Sequence, residues 1–151
     1  MPDYSNYNAR AYNKYGEIWR NTGKCVFCDL KDKYIVTKID SVVLTVNIFP
    51  YIDGHLLIIP RRHIEAYSEM NDTETKAIKE LAVLGEKLIQ KVYKHKDIWF
   101  MYRMAKGFTG QKTVPHVHAH LIPFSAQLFK WEFQKISVPP EESAQKFRDS
   151  L

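Results

Sequence analysis

The stretch that most constrains this chain is Pro115-His116-Val117-His118-Ala119-His120-Leu121-Ile122-Pro123, where three of the six histidines occupy alternate positions between apolar residues. Side chains of a β-strand alternate between its faces, so an extended backbone here projects all three imidazoles to one side and Val117, Ala119 and Leu121 to the other. Near neutral pH imidazole serves as base, nucleophile, hydrogen-bond donor or metal ligand, and the partner of its second ring nitrogen decides which. One face is expected to carry chemistry and the other to pack. A row of zinc ligands, or histidines satisfied in a polar core, fits the same pattern.

The rest of the chain supplies the frame for such a strand. A short helix is expected over residues 9–20, with Tyr12, Tyr15, Ile18 and Trp19 at helical spacing and Asn21-Thr22-Gly23 as the stop. Residues 34–39 and 41–47 read as strands joined by a turn at Asp40-Ser41, with Val42, Leu44 and Val46 on one face of the second. Residues 50–54 form a loop, and residues 55–59 a short strand ended by Pro60. Asn71 and Glu74 have capping-box spacing, ahead of the longest helix, where Ile78, Leu81, Leu84, Leu88 and Val92 recur every three or four residues. Lys87, Lys91 and Lys94 gather at its C-terminal end and oppose the helix dipole. Residues 97–104 read as a further strand, with Ile98, Phe100 and Tyr102 alternating against Trp99, Met101 and Arg103. The tail over residues 125–151 has no strong pattern, although Phe129, Trp131 and Phe133 could cover a site or a subunit contact. These elements predict an α+β fold: a meandering antiparallel sheet with one long helix and a short N-terminal helix.

At 151 residues and 45% hydrophobic content, the chain suits one globular domain over residues 1–151. No apolar run is long enough to cross a bilayer, and residues 1–10 are polar and tyrosine-rich, so a cytoplasmic location is expected. The formal charge of +5 fits a phosphate-bearing ligand and equally nucleic acid. The lysines form no block, which disfavours nucleic acid. Two cysteines, in Cys25-Val26-Phe27-Cys28, are too few for a disulfide framework and read as a metal knuckle or a redox pair. The redox reading lacks a βαβ context, whereas the spacing, with histidines far downstream, suits tetrahedral zinc.

His116-Val117-His118-Ala119-His120-Leu121-Ile122 resembles the His-φ-His-φ-His-φ-φ signature of the histidine triad (HIT) superfamily. The segment from Asn47-Ile48-Phe49-Pro50 through Gly54-His55-Leu56-Leu57-Ile58-Ile59-Pro60-Arg61-Arg62-His63 is similar to its Fhit-like, dinucleoside-polyphosphate-processing branch. Both blocks stand in the family's order, and the resemblance covers about residues 25–124. It implies a HIT-like fold, usually a homodimer, and cleavage at the α-phosphate of a nucleoside phosphoramidate or dinucleoside polyphosphate through a nucleotidyl-histidine. His118 would be the nucleophile, His120 would contact phosphate oxygens and His116 would orient the site. Asn47 falls where ribose hydroxyls are bound, Ile48 beside the base, and His55 would reach the active site. The resemblance also implies a structural zinc held by Cys25, Cys28, His63 and His116.

The sequence departs from the family's pattern just upstream of the triad. Thr113 stands in register for the residue that contacts phosphate and assists the leaving group. Lys112 takes the usual glutamine position, Gln111 is displaced by one, and Arg103 and Lys106 lie near where an asparagine is usual. The added charge points to a longer polyphosphate chain. A non-catalytic nucleotide-binding regulator would share every binding residue, and an enzyme processing 5′-adenylated DNA ends would share the triad.

Overall fold

A computed structural model describes residues 12–104, 112–124 and 135–151. Tyr12 lies ahead of the first helix, and the expected start at residue 9, like Gln111, Lys106 and the aromatic residues 129, 131 and 133, falls outside the described residues. Helix α1 spans Lys14–Thr22: the Asn13 side chain caps its start by accepting from the Gly16 N–H, and Gly23 closes it with φ +65°. Strands β1 (Ile35–Ile39) and β2 (Val42–Val46) form a hairpin through Asp40, at φ +50°. Strand β3 is Leu56–Pro60, helix α2 is Asp72–Tyr93, and β4 (Ile98–Tyr102), β5 (Ala119–Pro123) and α3 (Pro140–Arg148) follow.

The five strands form one antiparallel sheet in the order β1-β2-β3-β5-β4, giving the α+β class expected. The strand that carries the last triad histidine is therefore interior to the sheet, while β4 is an edge. Helix α2 packs across one face. Ala77, Ile78, Leu81 and Ile89 meet Val42, Leu44, Leu56, Ile58, Ala119 and Leu121 in the larger core cluster. The buried stripe runs through 77, 78, 81, 85 and 89, with Leu84 and Leu88 only packed against its side. Val92, expected on this stripe, is 65% exposed: its angular position matches Leu81 and Gly85, but it lies in the last turn of the helix, past Ile89 where the core cluster ends.

Gly85 faces the sheet where a methyl group would collide with the Leu121 side chain, so the helix approaches β5 more closely than alanine would permit. The α2 start is fixed as expected. Asn71 Oδ1 accepts from the Glu74 N–H at 2.9 Å, and Glu74 Oε2 accepts from the Asn71 N–H at 3.0 Å. The same carboxylate takes a fork of hydrogen bonds from Arg62 at 3.1 and 2.9 Å, one residue before His63.

The other face of the sheet is covered by the N-terminal segment. Tyr15, Cys25 and Phe27 pack with Leu57, Ile59 and Val114 in a second cluster, flanked by Leu30, Ile48 and Phe49. This double cover corrects the expectation of a one-faced β2: Val43 and Thr45 are buried as well as Val42 and Leu44, and Val46, at the strand's end, is exposed. The tail also departs from expectation, for α3 lies within it. Pro140 in its first turn, Glu141 and Glu142 beside it, and Lys146 and Arg148 in its last turn suit both ends of the helix dipole. None of its residues is buried, which is why apolar periodicity did not reveal it. No helix among the described residues is long and apolar enough to cross a membrane.

Candidate active site and metal centre

The histidine run is only partly a strand. The β5 ladder begins at Ala119, and the residues before it leave the sheet: His116 N–H bonds Val114 O at 2.8 Å, and Val117 N–H bonds Ile64 O at 2.7 Å. Pro115 and the pull of the 60–64 segment thus replace the continuous extended run that alternation predicted. The three imidazoles nevertheless line up on the N-terminal side of the sheet. His120 lies opposite Leu57 and Met101 on its two neighbours, while Ala119 and Leu121 enter the core under α2. The His118 and His120 rings are 5.0 Å apart, and Phe27 packs edge-on to both His116 and His118. All three histidines are buried.

Hydrogen-bond partners fix the proton on each ring, because a carbonyl or carboxylate can only accept. His118 Nδ1–H donates to the His116 carbonyl at 2.7 Å, so the lone pair resides on His118 Nε2. His116 Nε2–H donates to the Pro60 carbonyl at 2.7 Å, leaving the Nδ1 lone pair to face the cysteines. Burial holds both rings at about 4, against the pull of those carbonyls, so both are neutral near pH 7.

His116 Nδ1 lies 3.6 Å from both Cys25 Sγ and Cys28 Sγ, and His63 Nδ1 lies 3.2 Å from Cys28 Sγ. The cysteines are brought together by a turn, Cys28 N–H to Cys25 O at 3.0 Å, directly after α1. The four ligand atoms all fall within 4.8 Å of one another. A tetrahedral ion with Zn–S of about 2.3 Å and Zn–N of about 2.0–2.1 Å separates sulfur and nitrogen by about 3.5 Å, which fits these spacings. The outer partners fit as well: Pro60 O holds His116 and Glu65 holds His63 Nε2 at 3.4 Å, each presenting Nδ1 inward. Desolvation and the adjacent Cys25 push the Cys28 thiol up to about 11, so a bound cation is what would make it a thiolate. The four residues singled out by spacing and resemblance are thus brought together.

The nucleotide-side residues are placed with more variety. Asn47 is buried, its Oδ1 accepting from the Phe49 N–H at 2.9 Å and from the Tyr15 hydroxyl at 3.2 Å, which ties α1 to this loop. His55 is buried as well, with Nε2 2.9 Å from His120 Nδ1. Gly54, at φ +85°, presents it: a Cβ there would meet Tyr93 at 2.9 Å and Pro123 at 3.3 Å. Ile48 lines a cavity of about 300 Å³ with Tyr15, Ile18, Phe27, Leu30 and Leu57. Thr113 is half-buried just ahead of the triad. Lys112, in the glutamine position, donates from Nζ to the Glu65 carbonyl at 2.6 Å, so its charge is anchored close to the cysteine–histidine cluster.

Two residues outside the expected site set join it. Arg103 lies two residues beyond Met101, which pairs with His120, and its Nη1 is 3.3 Å from His120 Nε2. The same nitrogen donates to the Tyr51 hydroxyl at 2.9 Å. The strand alternation that puts Trp99, Met101 and Arg103 on one face carried this signal.

The α+β sheet thus carries a buried histidine row beside a cluster of two cysteines and two histidines. The family model described as "HIT domain" matches residues 30–126, and the chain belongs to the HIT family. An adenosine 5′-monophosphoramidase of Danio rerio is 28% identical over 131 residues, 82% of this chain and 79% of that protein. The nitrilase and fragile histidine triad fusion protein of Caenorhabditis elegans is 30% identical over 70% of this chain, which spans about a quarter (24%) of that protein. Among solved structures, a HIT family member from Bacillus subtilis superposes with TM-score 0.70 at 23% identity, covering 84% of this chain and 94% of that one. A Plasmodium falciparum diadenosine triphosphate hydrolase gives 0.59 at 21% identity, over 64% of this chain and 65% of that one.

Proposed function

We propose that this protein is a hydrolase or transferase that cleaves a nucleoside phosphoramidate or dinucleoside polyphosphate at the α-phosphate through a nucleotidyl group on His118. The observation that carries this reading is the 2.7 Å bond from His118 Nδ1–H to the His116 carbonyl. It leaves a neutral ring with its lone pair on Nε2, oriented by a main-chain acceptor, as a nitrogen nucleophile requires. In the first step the Nε2–P bond forms as the bond from phosphorus to the leaving group breaks. In the second, water or phosphate displaces His118 from phosphorus. His120 and Thr113 would contact phosphate oxygens and the departing group, and Gln111 belongs to the same reading. The cavity over Ile48 would take the base, with Asn47 toward the ribose and His55 toward the phosphates.

Cys25, Cys28, His63 and His116 would hold a structural zinc ion. Zinc there would fix the N-terminal knuckle to the triad and take no part in bond breaking. A homodimer is part of the same reading. The edge strand β4 and α2 border an apolar groove of about 690 Å³, with Phe100 54% exposed. The Tyr102 hydroxyl is buried beside it with no hydrogen-bond partner among the described residues. A second copy would supply the missing cover. A cytoplasmic location fits a nucleotide substrate.

The test is to quench the enzyme during turnover of adenosine phosphoramidate, Ap3A or Ap4A labelled at the α-phosphate and to map the labelled peptide. Label on His118 is the expected result; label on another residue defeats the reading.

A further inference from the structure

Helix α1 lies ahead of the 30–126 match to the family model, so the family relationship does not account for what it does. Of its residues only Tyr15 is buried. Tyr15, Ile18 and Thr22 stand three and four positions apart and so share one face of the helix. That face borders the cavity of about 300 Å³, whose lining also includes Phe27, Ile48 and Leu57. Two hydroxyls on the lining are directed into the chain itself: Thr22 donates to the Ile18 carbonyl at 2.7 Å and Thr45 to the Tyr34 carbonyl at 2.9 Å. The surface that α1 contributes is therefore mainly apolar.

The helix is seated on the site rather than on the main core. The Tyr15 hydroxyl donates to Asn47 Oδ1 at 3.2 Å, and the Tyr15 ring meets Phe27 and Phe49 edge-on with centroids 5.9 and 4.9 Å apart. Trp19, one turn further on, lies edge-on to His63 at 6.2 Å. Phe27 also packs against the His118 ring at 4.9 Å, so one side chain borders both the cavity and the middle histidine of the triad.

We propose that α1 is a recognition wall for the nucleotide base, with Ile18 in contact with the base and Tyr15 holding the helix to Asn47. A planar heterocycle gains from apolar cover, whereas a phosphate at His118 takes nothing from it. The inference rests on the reading of His118 as nucleophile, which puts the phosphate of a nucleotide beside Phe27 and its base in the cavity.

Calorimetric titration with AMP and with ribose 5-phosphate, which lacks the base, tests it. Ile18→Ala is expected to weaken AMP binding about tenfold and to leave ribose 5-phosphate unchanged, the size of effect that a few methyl groups on a binding wall produce. Tyr15→Phe keeps the ring and removes the bond to Asn47, and a loss of about threefold or more for AMP is expected. Equal losses on both ligands, unchanged AMP binding or no AMP binding overturns the wall. Hydrogen exchange of the wild type needs no variant: AMP is expected to slow exchange of the amides of residues 14–22, and ribose 5-phosphate is not. Exchange there that AMP leaves unchanged or accelerates also overturns it. Label on His118 with α1 indifferent to AMP removes the wall and keeps the nucleophile, whereas protection of α1 without label on His118 does the reverse.

Discussion

His118 Nδ1 lies 2.7 Å from the carbonyl oxygen of His116, so the orientation of one triad ring is set by the backbone of another. His116 in turn is held by Pro60 on one nitrogen and faces two cysteines with the other. Placement of His118, the proposed nucleophile, therefore passes through the residue that joins the triad to the cysteine–histidine cluster.

Replacing His118 by Asn or Ala removes the covalent step while leaving its surroundings packed. Turnover is expected to fall by about three orders of magnitude or more, with nucleotide binding largely kept. Single-turnover kinetics and equilibrium dialysis of AMP make the comparison, and a variant keeping a tenth of wild-type turnover would remove His118 from its role.

Acid should weaken the fold through the two buried rings. Both His116 and His118 are lowered from 6.5 to about 4, so between those values the unfolded chain binds more protons than the folded one. Their contribution to stability is full above pH 6.5 and is lost as pH falls through the folded value near 4. Urea midpoints of the metal-free protein measured from pH 8 to 4 are expected to drop below about 6.5, less steeply in His118→Asn. A flat profile in wild type would contradict the neutral burial of both rings.

Metal content is expected at about one zinc per chain, lost in Cys25→Ser and in His63→Ala. Chelation should lower the melting temperature and reduce activity as His116 loosens. Elemental analysis on protein prepared without a histidine tag reads the first, calorimetry the second. A metal-free wild type of unchanged stability would leave the cysteines without this role.

Gly85→Ala sets two effects against each other. In an exposed helix the change stabilises by about 1 kcal/mol. Here the added methyl meets Leu121, and overpacking a core costs about 1–3 kcal/mol. Net destabilisation in chemical denaturation is expected, and a more stable variant would show that α2 can lift from β5 without loss.

Elements whose signals were local could be read before the fold. Asn71 and Glu74 cap α2, Gly23 ends α1, and Pro60 closes β3, each through chemistry within a few residues. Of the Cys25, Cys28, His63 and His116 cluster, the two-residue cysteine spacing was legible by itself, whereas His63 and His116 came only from the family resemblance. Where tertiary contacts decide, the sequence was mute. Nothing local revealed that Ile64 would draw Val117 out of the ladder or that Lys112 would reach the Glu65 carbonyl. Helix α3 escaped for the opposite reason, since a helix that buries nothing leaves no apolar stripe.

The pairing of β5 gives the site a parity. His120 sits between Leu57 and Met101, while its neighbours Ala119 and Leu121 face α2. Sliding β5 by one residue would turn His120 toward Gly85 and the aliphatic core, where its ring has neither room nor partners, and send Leu121 to the face that carries His55. Sliding by two would restore the face but separate His120 from His55. The closeness of Gly85 to Leu121 penalises the odd slip and the His55 bond the even one. Changes in chain length are thus compatible with activity only where they leave both the β5 ladder and the turn that holds His116 and His118 in register.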